Sequence, residues 1–183
     1  MSLEIEKKYR LQGDDIGRIK DSLAELGGEF VGRDFETNTI FSGEALRALG
    51  AIVRIRTTDR RVILAYKRRI PSESDVKTQI EHEVDISDAD AVASILAELG
   101  LTPWLLYEKY RDTWKFRSVE VVLDELPFGL FMEIEGTVTG IREAEMMLGI
   151  EDLNVEHETY PVLTARLGQK VGNVTEARFS LRK

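Results

Sequence analysis

The chain has 183 residues, of which 43% are hydrophobic and 32% are charged, and its formal net charge is −8. This length suits one well-formed core, and the composition is that of a folded globular protein. The absence of cysteine excludes disulfides, thiolate metal sites and cysteine nucleophiles, and only two histidines, far apart, argue against a zinc site. The acidic balance argues against nucleic acid as the main partner. We find no apolar run long enough for a membrane and no signal peptide, so we expect a cytoplasmic protein.

The first half of the chain alternates between predicted strands and helices. A strand covers residues 3–11, and a helix capped by Asp14-Asp15 runs to Gly27-Gly28. A β-rich stretch follows through residues 30–41, and its polar middle, residues 33–38, is predicted to bulge or loop. A connector with one helical turn then leads from Gly43 to Gly50.

The rest of the chain continues the same pattern. Further strands are predicted at residues 52–57, 62–67, 77–86, 105–116, 119–126 and 130–135, with a polar loop from Pro71 to Asp75. Helices are predicted at residues 88–99, opened by a capping box of Ser87 and Asp90, and at about 140–148 and 161–167. We expect a tail that is less ordered from about residue 168. The elements predict a single α+β domain over residues 1–183, dominated by an antiparallel sheet.

Charged residues recur at alternate positions on one face of most predicted strands. Glu4, Glu6 and Lys8 share one face of the first strand, and alone this pattern is most often an ordinary solvated surface. Later strands repeat it with pairs of one sign. These are Arg54 and Arg56, Lys67 and Arg69, Glu81 and Glu83, Lys109 and Arg111, and Glu133 and Glu135, with a single Asp124 in between.

Pairs of side chains with the same charge are hard to explain as a solvated face, because positive and negative side chains tend to be mixed there. If the sheet curls into a barrel, the charged face lines the interior and the apolar face lies under helices. Such an interior needs water, cations and a polyanion, because unpaired buried charges are costly. Arginine and lysine bind phosphate oxygens, and carboxylates bind Mg²⁺ or Mn²⁺, so the pattern indicates a metal–polyphosphate site.

The motifs also resemble a known family when they are taken in order. They are Glu4-x-Glu6-x-Lys8, Arg54-x-Arg56, Tyr66-Lys67, Glu81-x-Glu83, Glu108-Lys109-Tyr110-Arg111, the segment from Val122-Leu123-Asp124 to Glu133-Ile134-Glu135, and Thr159-Tyr160. This set resembles the CYTH-domain proteins of the triphosphate tunnel metalloenzymes, and among them the class IV adenylyl cyclase (CyaB-like) branch. The resemblance implies an eight-stranded antiparallel β-barrel, with helices on its apolar outer face and a tunnel that binds a triphosphate with a divalent metal.

The resemblance also implies roles for individual residues. The implied metal ligands are Glu4, Glu6, Asp124, Glu133 and Glu135, and the implied phosphate ligands are Lys8, Arg54, Arg56, Lys67, Lys109 and Arg111. Glu81 and Glu83 match a less certain motif, and they either bind metal, orient neighbouring bases or form a salt-bridged tunnel wall. No residue is identified as a general base.

Two departures from the family pattern leave the substrate open. Gln79 stands where relatives often carry Arg, with Lys77 as a candidate replacement, and Ser42 stands where an acidic residue is common. The leading interpretation is a cyclase that uses Mg²⁺ or Mn²⁺ and converts ATP to cyclic AMP and pyrophosphate.

Two alternatives to the cyclase remain. One is a triphosphatase that acts on inorganic triphosphate, thiamine triphosphate or a nucleoside triphosphate. The other is a non-catalytic module that binds polyphosphate or a nucleotide. The expected partner is in each case a triphosphate, with no nucleic acid and no membrane, and a homodimer is left open.

Overall fold

The chain folds into a closed antiparallel sheet with helices packed on its outside. The structure is a computed structural model that describes residues 2–70 and 77–181. Its strands are β1 (Ser2–Leu11), β2 (Glu29–Ser42), β3 (Ala51–Thr57), β4 (Val62–Ile70), β5 (Lys77–Ile86), β6 (Thr102–Phe116), β7 (Val119–Leu126), β8 (Gly129–Glu135), β9 (Gln169–Val171) and β10 (Val174–Ala177). Its helices are α1 (Asp15–Glu25), α2 (Glu44–Leu49), α3 (Ala89–Glu98), α4 (Val138–Leu148) and α5 (Tyr160–Leu167), and a short 3₁₀ helix follows at Phe179–Leu181.

Eight of the strands form a closed ring in the order β2-β3-β4-β5-β1-β8-β7-β6. The ring closes because β6 pairs with β2 along one edge and with β7 along the other. Every neighbouring pair in the ring is antiparallel. Because successive side chains of a strand point to opposite faces, one face of each strand looks into the ring. The predicted α+β fold with an eight-stranded antiparallel barrel is confirmed.

The outer face of the barrel is apolar, and four helices pack against it. Helices α1 and α4 cover β1, β6, β7 and β8, where Ile19, Leu23 and Ile141 are completely buried. Helices α2 and α3 contribute Leu46 and Leu96 to a second cluster that lies over β3. Each fully buried aliphatic side chain contributes about 1.5–3 kcal/mol, so this packing stabilises the ring from outside.

Helix α5 packs differently from the other helices, because it fills part of the barrel interior. Its Tyr160 and Leu163 contact the inward-pointing Tyr107 and Phe131. Thr159 begins the helix, since its side-chain oxygen accepts a hydrogen bond from the Val162 backbone N–H. The part of the interior that α5 leaves open is the cavity described below.

Two details of the predicted elements were wrong. Residues 33–38 do not loop, because β2 runs without interruption from Glu29 to Ser42 and pairs with both β3 and β6. Backbone pairing with β6 over the whole stretch, and with β3 from Thr37 onward, therefore overrides its polar composition. The cap of α3 is Asp88, whose carboxylate accepts from the Ala91 N–H, and not Ser87.

The predicted loss of order from about residue 168 was also wrong for the described part of the tail. Strand β10 pairs in parallel with Leu105–Tyr107 of β6, beside the part of that edge that β7 does not reach. Arg178 then forms an ion pair with Glu108 at 3.0 Å, and this contact helps to fix the tail to the barrel. The loop predicted at Pro71–Asp75 lies outside the described residues.

None of the helices within residues 2–70 and 77–181 has the length and apolar character needed to cross a membrane.

Candidate functional site

A cavity of about 500 Å³ lies inside the barrel. The predicted site residues that line it are Glu4, Glu6, Lys8, Arg54, Arg56, Lys67, Glu81, Glu83, Lys109, Arg111, Glu133 and Glu135. Residues that the sequence did not single out also line it, and they include Ile52, Arg61, Trp104 and Glu120. Tyr160, from the Thr159-Tyr160 motif, lines it as well. Asp124 is not among the lining residues. Eight strands with one charged face each thus bring together residues that are up to 131 positions apart in the sequence.

Carboxylates from β1 and β8 form the acidic wall of the cavity. The strand register pairs Glu6 with Glu135 and Lys8 with Glu133. Burial, reinforced by Glu4 and Glu120, raises the pKa of Glu135 to about 7. Burial and the Glu133 carboxylate likewise raise the pKa of Glu6. These raised pKa values mark a place where the protein compensates negative charge poorly.

The acidic wall has the donor chemistry that a divalent cation requires. Carboxylate oxygens are the ligands that Mg²⁺ and Mn²⁺ prefer. Within the part of the chain that the structure describes, no three acidic or histidine side chains already converge on one metal position. Ammonium groups contact the carboxylates instead, with Lys8 lying 3.2 Å from Glu133 and Lys67 lying 3.1 Å from Glu4. The residues fit a metal, because the register pairs Glu6 with Glu135 on neighbouring strands and both side chains line the cavity.

Glu4 and Glu81 form a hydrogen-bonded pair of carboxyl groups on this side of the cavity. Burial and the hydrogen bond with Glu4 raise the pKa of Glu81 to about 8. Burial also acts to raise the pKa of Glu4, but the hydrogen bond from Glu81 and the charge of Lys67 more than offset it, and the pKa falls to about 2. The two carboxyl groups are therefore coupled, and the contact between them favours protonation of Glu81 over protonation of Glu4.

The family departure at Gln79 has a structural explanation. The Gln79 side-chain amide donates to Glu4 Oε2 at 2.6 Å, so it supports a carboxylate rather than a phosphate. Lys77, the candidate replacement, is buried with its Nζ 3.6 Å from Glu6 Oε1 and does not line the cavity. The structure therefore does not support Lys77 as a replacement phosphate ligand.

Arg54 and Arg56 on β3 provide one group of cations. Glu83 Oε1 accepts from the Nη2 atoms of both guanidinium groups at 3.1 Å. The buried Nε atoms of both arginines have no hydrogen-bond partner among the described residues. Buried donors without partners are rare and costly, so this pair of atoms indicates a place for an anionic acceptor. Glu83 thus contacts both guanidinium groups, and its role in binding metal, in orienting neighbouring bases or in a salt-bridged wall remains a prediction.

Lys109 and Arg111 on β6 provide the second group of cations, and Asp124 lies behind them. Asp124 is fully buried and accepts from Lys109 Nζ at 3.1 Å and from Arg111 Nε at 2.7 Å. The Tyr160 hydroxyl donates to the same carboxylate at 2.7 Å. With these three partners, Asp124 is placed to position cations, and its predicted role as a metal ligand remains a prediction.

The lysines of the cavity differ in their electrostatic surroundings. Burial and the neighbouring Arg111 lower the pKa of Lys109 to about 8. Burial also acts to lower the pKa of Lys8, but the carboxylates of Glu133 and Glu6 more than offset this effect and raise it. The Lys8 ammonium also lies 3.7 Å from the centre of the Tyr160 ring, which adds a cation–π contact.

Glu36 is a buried charged residue that the sequence prediction missed. Its carboxylate lies 3.5 Å from Lys109 Nζ and 3.7 Å from Arg56 Nη1. Burial acts to raise the pKa of Glu36, but the charges of Lys109, Arg111 and Arg56 outweigh it and hold the pKa well below its ordinary value. The alternate positions of Glu36, Asn38 and Ile40 could have indicated one face of a strand. The predicted loop at residues 33–38 prevented that interpretation.

Comparison with known proteins agrees with the fold. The sequence profile of the CYTH domain matches residues 2–160. A protein of Methanocaldococcus jannaschii with the name "Putative adenylate cyclase" is 29% identical over 165 residues, which cover 85% of this chain and 92% of that protein.

Solved structures with the same fold come from distant organisms. The PH1012 protein from Pyrococcus horikoshii OT3 has a TM-score of 0.76 and 22% identity, covering 87% of this chain and 98% of that chain. A Hippeastrum protein, described as a "Putative adenylyl cyclase" with a dominant triphosphatase activity, has a TM-score of 0.70 and 19% identity, covering 89% of this chain and 95% of that chain. Because the CYTH match spans most of the sequence, this chain belongs to the CYTH domain family.

Proposed function

We propose that this chain is a divalent-metal-dependent enzyme that acts on a triphosphate in the barrel cavity, and that it converts ATP to cyclic AMP and pyrophosphate. The observation that carries the proposal is the pair of buried Arg54 and Arg56 Nε donors that have no partner among the described residues. Membership of the CYTH family supports an enzyme of the adenylyl cyclase or triphosphatase type. The name of the Methanocaldococcus relative supports the cyclase over the triphosphatase.

The basic residues of the cavity suit the triphosphate chain. Arg54 and Arg56 offer planar forks of donors, and Lys109 and Arg111 add charge from β6 on the other side of β2. Their contacts with Glu83 and Asp124 hold the guanidinium groups in place before a substrate arrives. Preorganised donors of this kind stabilise the charge that moves onto the leaving group without any reorganisation.

The acidic wall suits the metal. Glu6 and Glu135, with Glu4 and Glu133 beside them, would hold Mg²⁺ or Mn²⁺. When bound, such an ion neutralises charge that develops on the phosphate oxygens of the leaving group. In the cyclase reaction, the ribose 3′-oxygen forms a bond to the α-phosphorus while the bond from that phosphorus to pyrophosphate breaks. The hydroxyl proton is lost in this step, and we assign no side chain as its acceptor.

Hydrolysis is the second candidate, because the same cavity could bind inorganic triphosphate, thiamine triphosphate or a nucleoside triphosphate. The Hippeastrum neighbour, with its dominant triphosphatase activity, supports this candidate. A module that only binds polyphosphate is less well supported. Its affinity for a polyanion would be greater without the carboxylates, and this cavity retains them on four strands.

Product analysis distinguishes these candidates. The purified protein is incubated with Mg²⁺ or Mn²⁺ and, in parallel, with ATP, inorganic triphosphate and thiamine triphosphate. Cyclic AMP with pyrophosphate is the expected result, whereas orthophosphate without cyclic AMP would identify a hydrolase. Tight binding without turnover of any of the three would contradict an enzymatic function.

The metal assignment is tested with isosteric variants. Glu6→Gln and Glu135→Gln should lose metal-dependent turnover and keep the circular dichroism spectrum of the parent, because each removes a charge and little volume. Glu25→Gln, which makes the same change at an exposed position of α1, should behave as the parent protein. Near-normal turnover in either cavity variant would show that the metal assignment is wrong.

A further inference from the structure

Trp104 reaches the cavity because of a β-bulge in β6. Strict alternation along β6 points Tyr107, Lys109 and Arg111 inward and would point Trp104 outward. The register with β2 shifts at this position, where Ile40 pairs with Leu105 but the next residue of β2 pairs with Pro103. Trp104 is therefore the extra residue of a bulge, and bulges change the direction of such side chains. The indole lines the cavity and is 39% exposed.

The register also places Trp104 close to the proposed phosphate site. Ile40 of β2 pairs with Leu105 on one side and with Arg54 on the other. Trp104 and Arg54 are thus on the two strands that flank β2. Trp104 lies level with the part of β3 that leads from Arg54 to Ile52. Successive inward residues are about 6.6 Å apart along a strand, so Ile52 is the next lining residue after Arg54 on this side.

Apolar groups from two other elements lie with the indole in the lining of the cavity. Ile52 comes from β3, and Pro161 and Val162 come from the first turn of α5. Val162 is 48% exposed, so its side chain is accessible from solvent. An exposed indole with aliphatic neighbours carries no charge for a phosphate and no ligand atom for a metal, and its ring provides a surface on which a flat aromatic group can stack.

We infer that Trp104 forms a base-binding subsite, in which the nucleobase of a nucleoside triphosphate stacks on the indole while its phosphates reach Arg54 and Arg56. This inference rests on the proposed function and assigns the residue by which the cavity would distinguish a nucleoside triphosphate from inorganic triphosphate. Inorganic triphosphate has no group that could use this surface. Stacking of a base on an aromatic side chain changes affinity by roughly tenfold or more.

The test compares two ligands in three proteins. Isothermal titration in the presence of Mg²⁺ measures the Kd of α,β-methylene ATP, which cannot release pyrophosphate, and of inorganic triphosphate. Trp104→Ala should weaken binding of the nucleotide about tenfold and leave the affinity for inorganic triphosphate within about twofold. Trp104→Phe should restore most of the nucleotide affinity, because a phenyl ring still stacks.

Tryptophan fluorescence gives a second readout without loss of the side chain. The chain has two tryptophans, and the other one, Trp114, is 9% exposed in the core under α1 and α4. In a Trp114→Phe protein, all indole emission comes from Trp104. The nucleotide should quench this emission, and inorganic triphosphate should not.

The outcomes separate this inference from the proposed function. Equal weakening of both ligands by Trp104→Ala, or no weakening of either, would overturn the base-binding subsite while triphosphate binding itself stands. A loss confined to thiamine triphosphate, tested in a parallel titration, would also overturn the assignment to a nucleobase. If the parent protein binds none of the triphosphates, the proposed function fails and the subsite fails with it.

Discussion

Each buried cation of the cavity is held by a carboxylate from a nearby strand. Arg111 illustrates this arrangement, with contacts of 2.6 Å to Glu133 and 2.5 Å to Asp124. Burial acts to lower the pKa of Arg111, but Asp124 and Glu133 more than offset it and raise the pKa well above its ordinary value. Such pairs are costly to break by removing one partner, since the other charge then stays buried and uncompensated. These ion pairs keep the donors of the cations oriented toward the cavity. The neighbouring carboxylates balance most of the positive charge.

Glu36→Gln should lower the free energy of unfolding by about 3 kcal/mol, because it leaves Lys109 and Arg56 without the carboxylate that lies between them. Urea denaturation at pH 7 measures this loss. Glu29→Gln makes the same chemical change at an exposed position of β2 and should alter stability by less than about 0.5 kcal/mol. A Glu36→Gln protein as stable as the parent would show that these contacts contribute nothing.

The same variant predicts a pH dependence. The folded-state pKa of Glu36 is depressed, so its charge stabilises the fold fully above the unfolded value of 4.5. This contribution is lost as the pH falls from there toward the folded-state pKa. The stability difference between Glu36→Gln and the parent should therefore shrink below about pH 4.5. A difference as large at pH 3.5 as at pH 7 would contradict the electrostatic explanation.

Arg56→Ala should raise the KM for the triphosphate substrate by about tenfold or more and change kcat less. Charge-assisted hydrogen bonds contribute about 1.5–3 kcal/mol, and the Arg56 guanidinium offers such donors to the cavity. Initial-rate kinetics with the substrate found by product analysis give both constants. Arg68→Ala on the outward face of β4 removes the same charge and should leave KM unchanged. An unchanged KM in Arg56→Ala would exclude a phosphate contact.

At the level of elements, β2 and α5 decide the shape of the cavity. Strand β2 joins β3 to β6 and so brings the two groups of cations into one ring. Helix α5 then enters the interior and is held there by contacts with β6 and β10. The junction after α5 is tight, because a Cβ at Gly168 would lie 2.6 Å from the Thr164 carbonyl oxygen and 2.8 Å from that of Glu176.

Gly168→Ala should therefore destabilise the protein by about 1–3 kcal/mol, the cost of overpacking against backbone that cannot yield easily. Thermal or urea denaturation measures the change. Gly17→Ala in the first half of α1 is the matched control, since a Cβ at Gly17 would have no atom within 4 Å and alanine favours a helix. It should leave stability equal or raise it by about 0.5 kcal/mol. Equal stability of Gly168→Ala and the parent would contradict the packing of the tail.

For the whole molecule, the barrel places acidic and basic walls around one water-accessible cavity. Two kinds of poorly compensated group lie on different walls of the described barrel. The acidic wall carries Glu6 and Glu135, whose pKa values are raised. The basic wall carries the Nε atoms of Arg54 and Arg56, which have no hydrogen-bond partner among the described residues. A divalent cation and a polyanion together would compensate both. The folded barrel has these binding groups in place and the unfolded chain does not, so ligands should stabilise the fold.

Mg²⁺ with inorganic triphosphate at about 100 times its Kd should stabilise the protein by about 2.7 kcal/mol and raise Tm by roughly 5–10 °C. Differential scanning fluorimetry measures the shift. Sulfate at the same ionic strength is the control and should give a much smaller change, because it presents fewer oxygens to the two arginines. Equal shifts with sulfate and triphosphate would contradict a triphosphate-selective cavity.

Most of the barrel and most of its lining could be predicted from alternating residues. Alternation is a local property, so the faces of β1, β3, β5 and β8 could be assigned without knowing their neighbours. Glu36 was missed because the polar composition of residues 33–38 favoured a loop, and it is pairing with β6 along the whole stretch, joined by β3 from Thr37, that keeps it extended. Trp104 was missed because strict alternation gives the wrong direction at a bulge.

The sequence by itself determined that this chain forms a charged-face antiparallel sheet with apolar helices over its other side, since side-chain period and residue chemistry are local. The tertiary structure alone decided that Asp124 lies behind Lys109 and Arg111, and that Tyr160 enters the barrel beside them. Those contacts depend on strand register, on ring closure between β2 and β6, and on the docking of α5. They join residues that are far apart in the chain, so no local pattern could specify them.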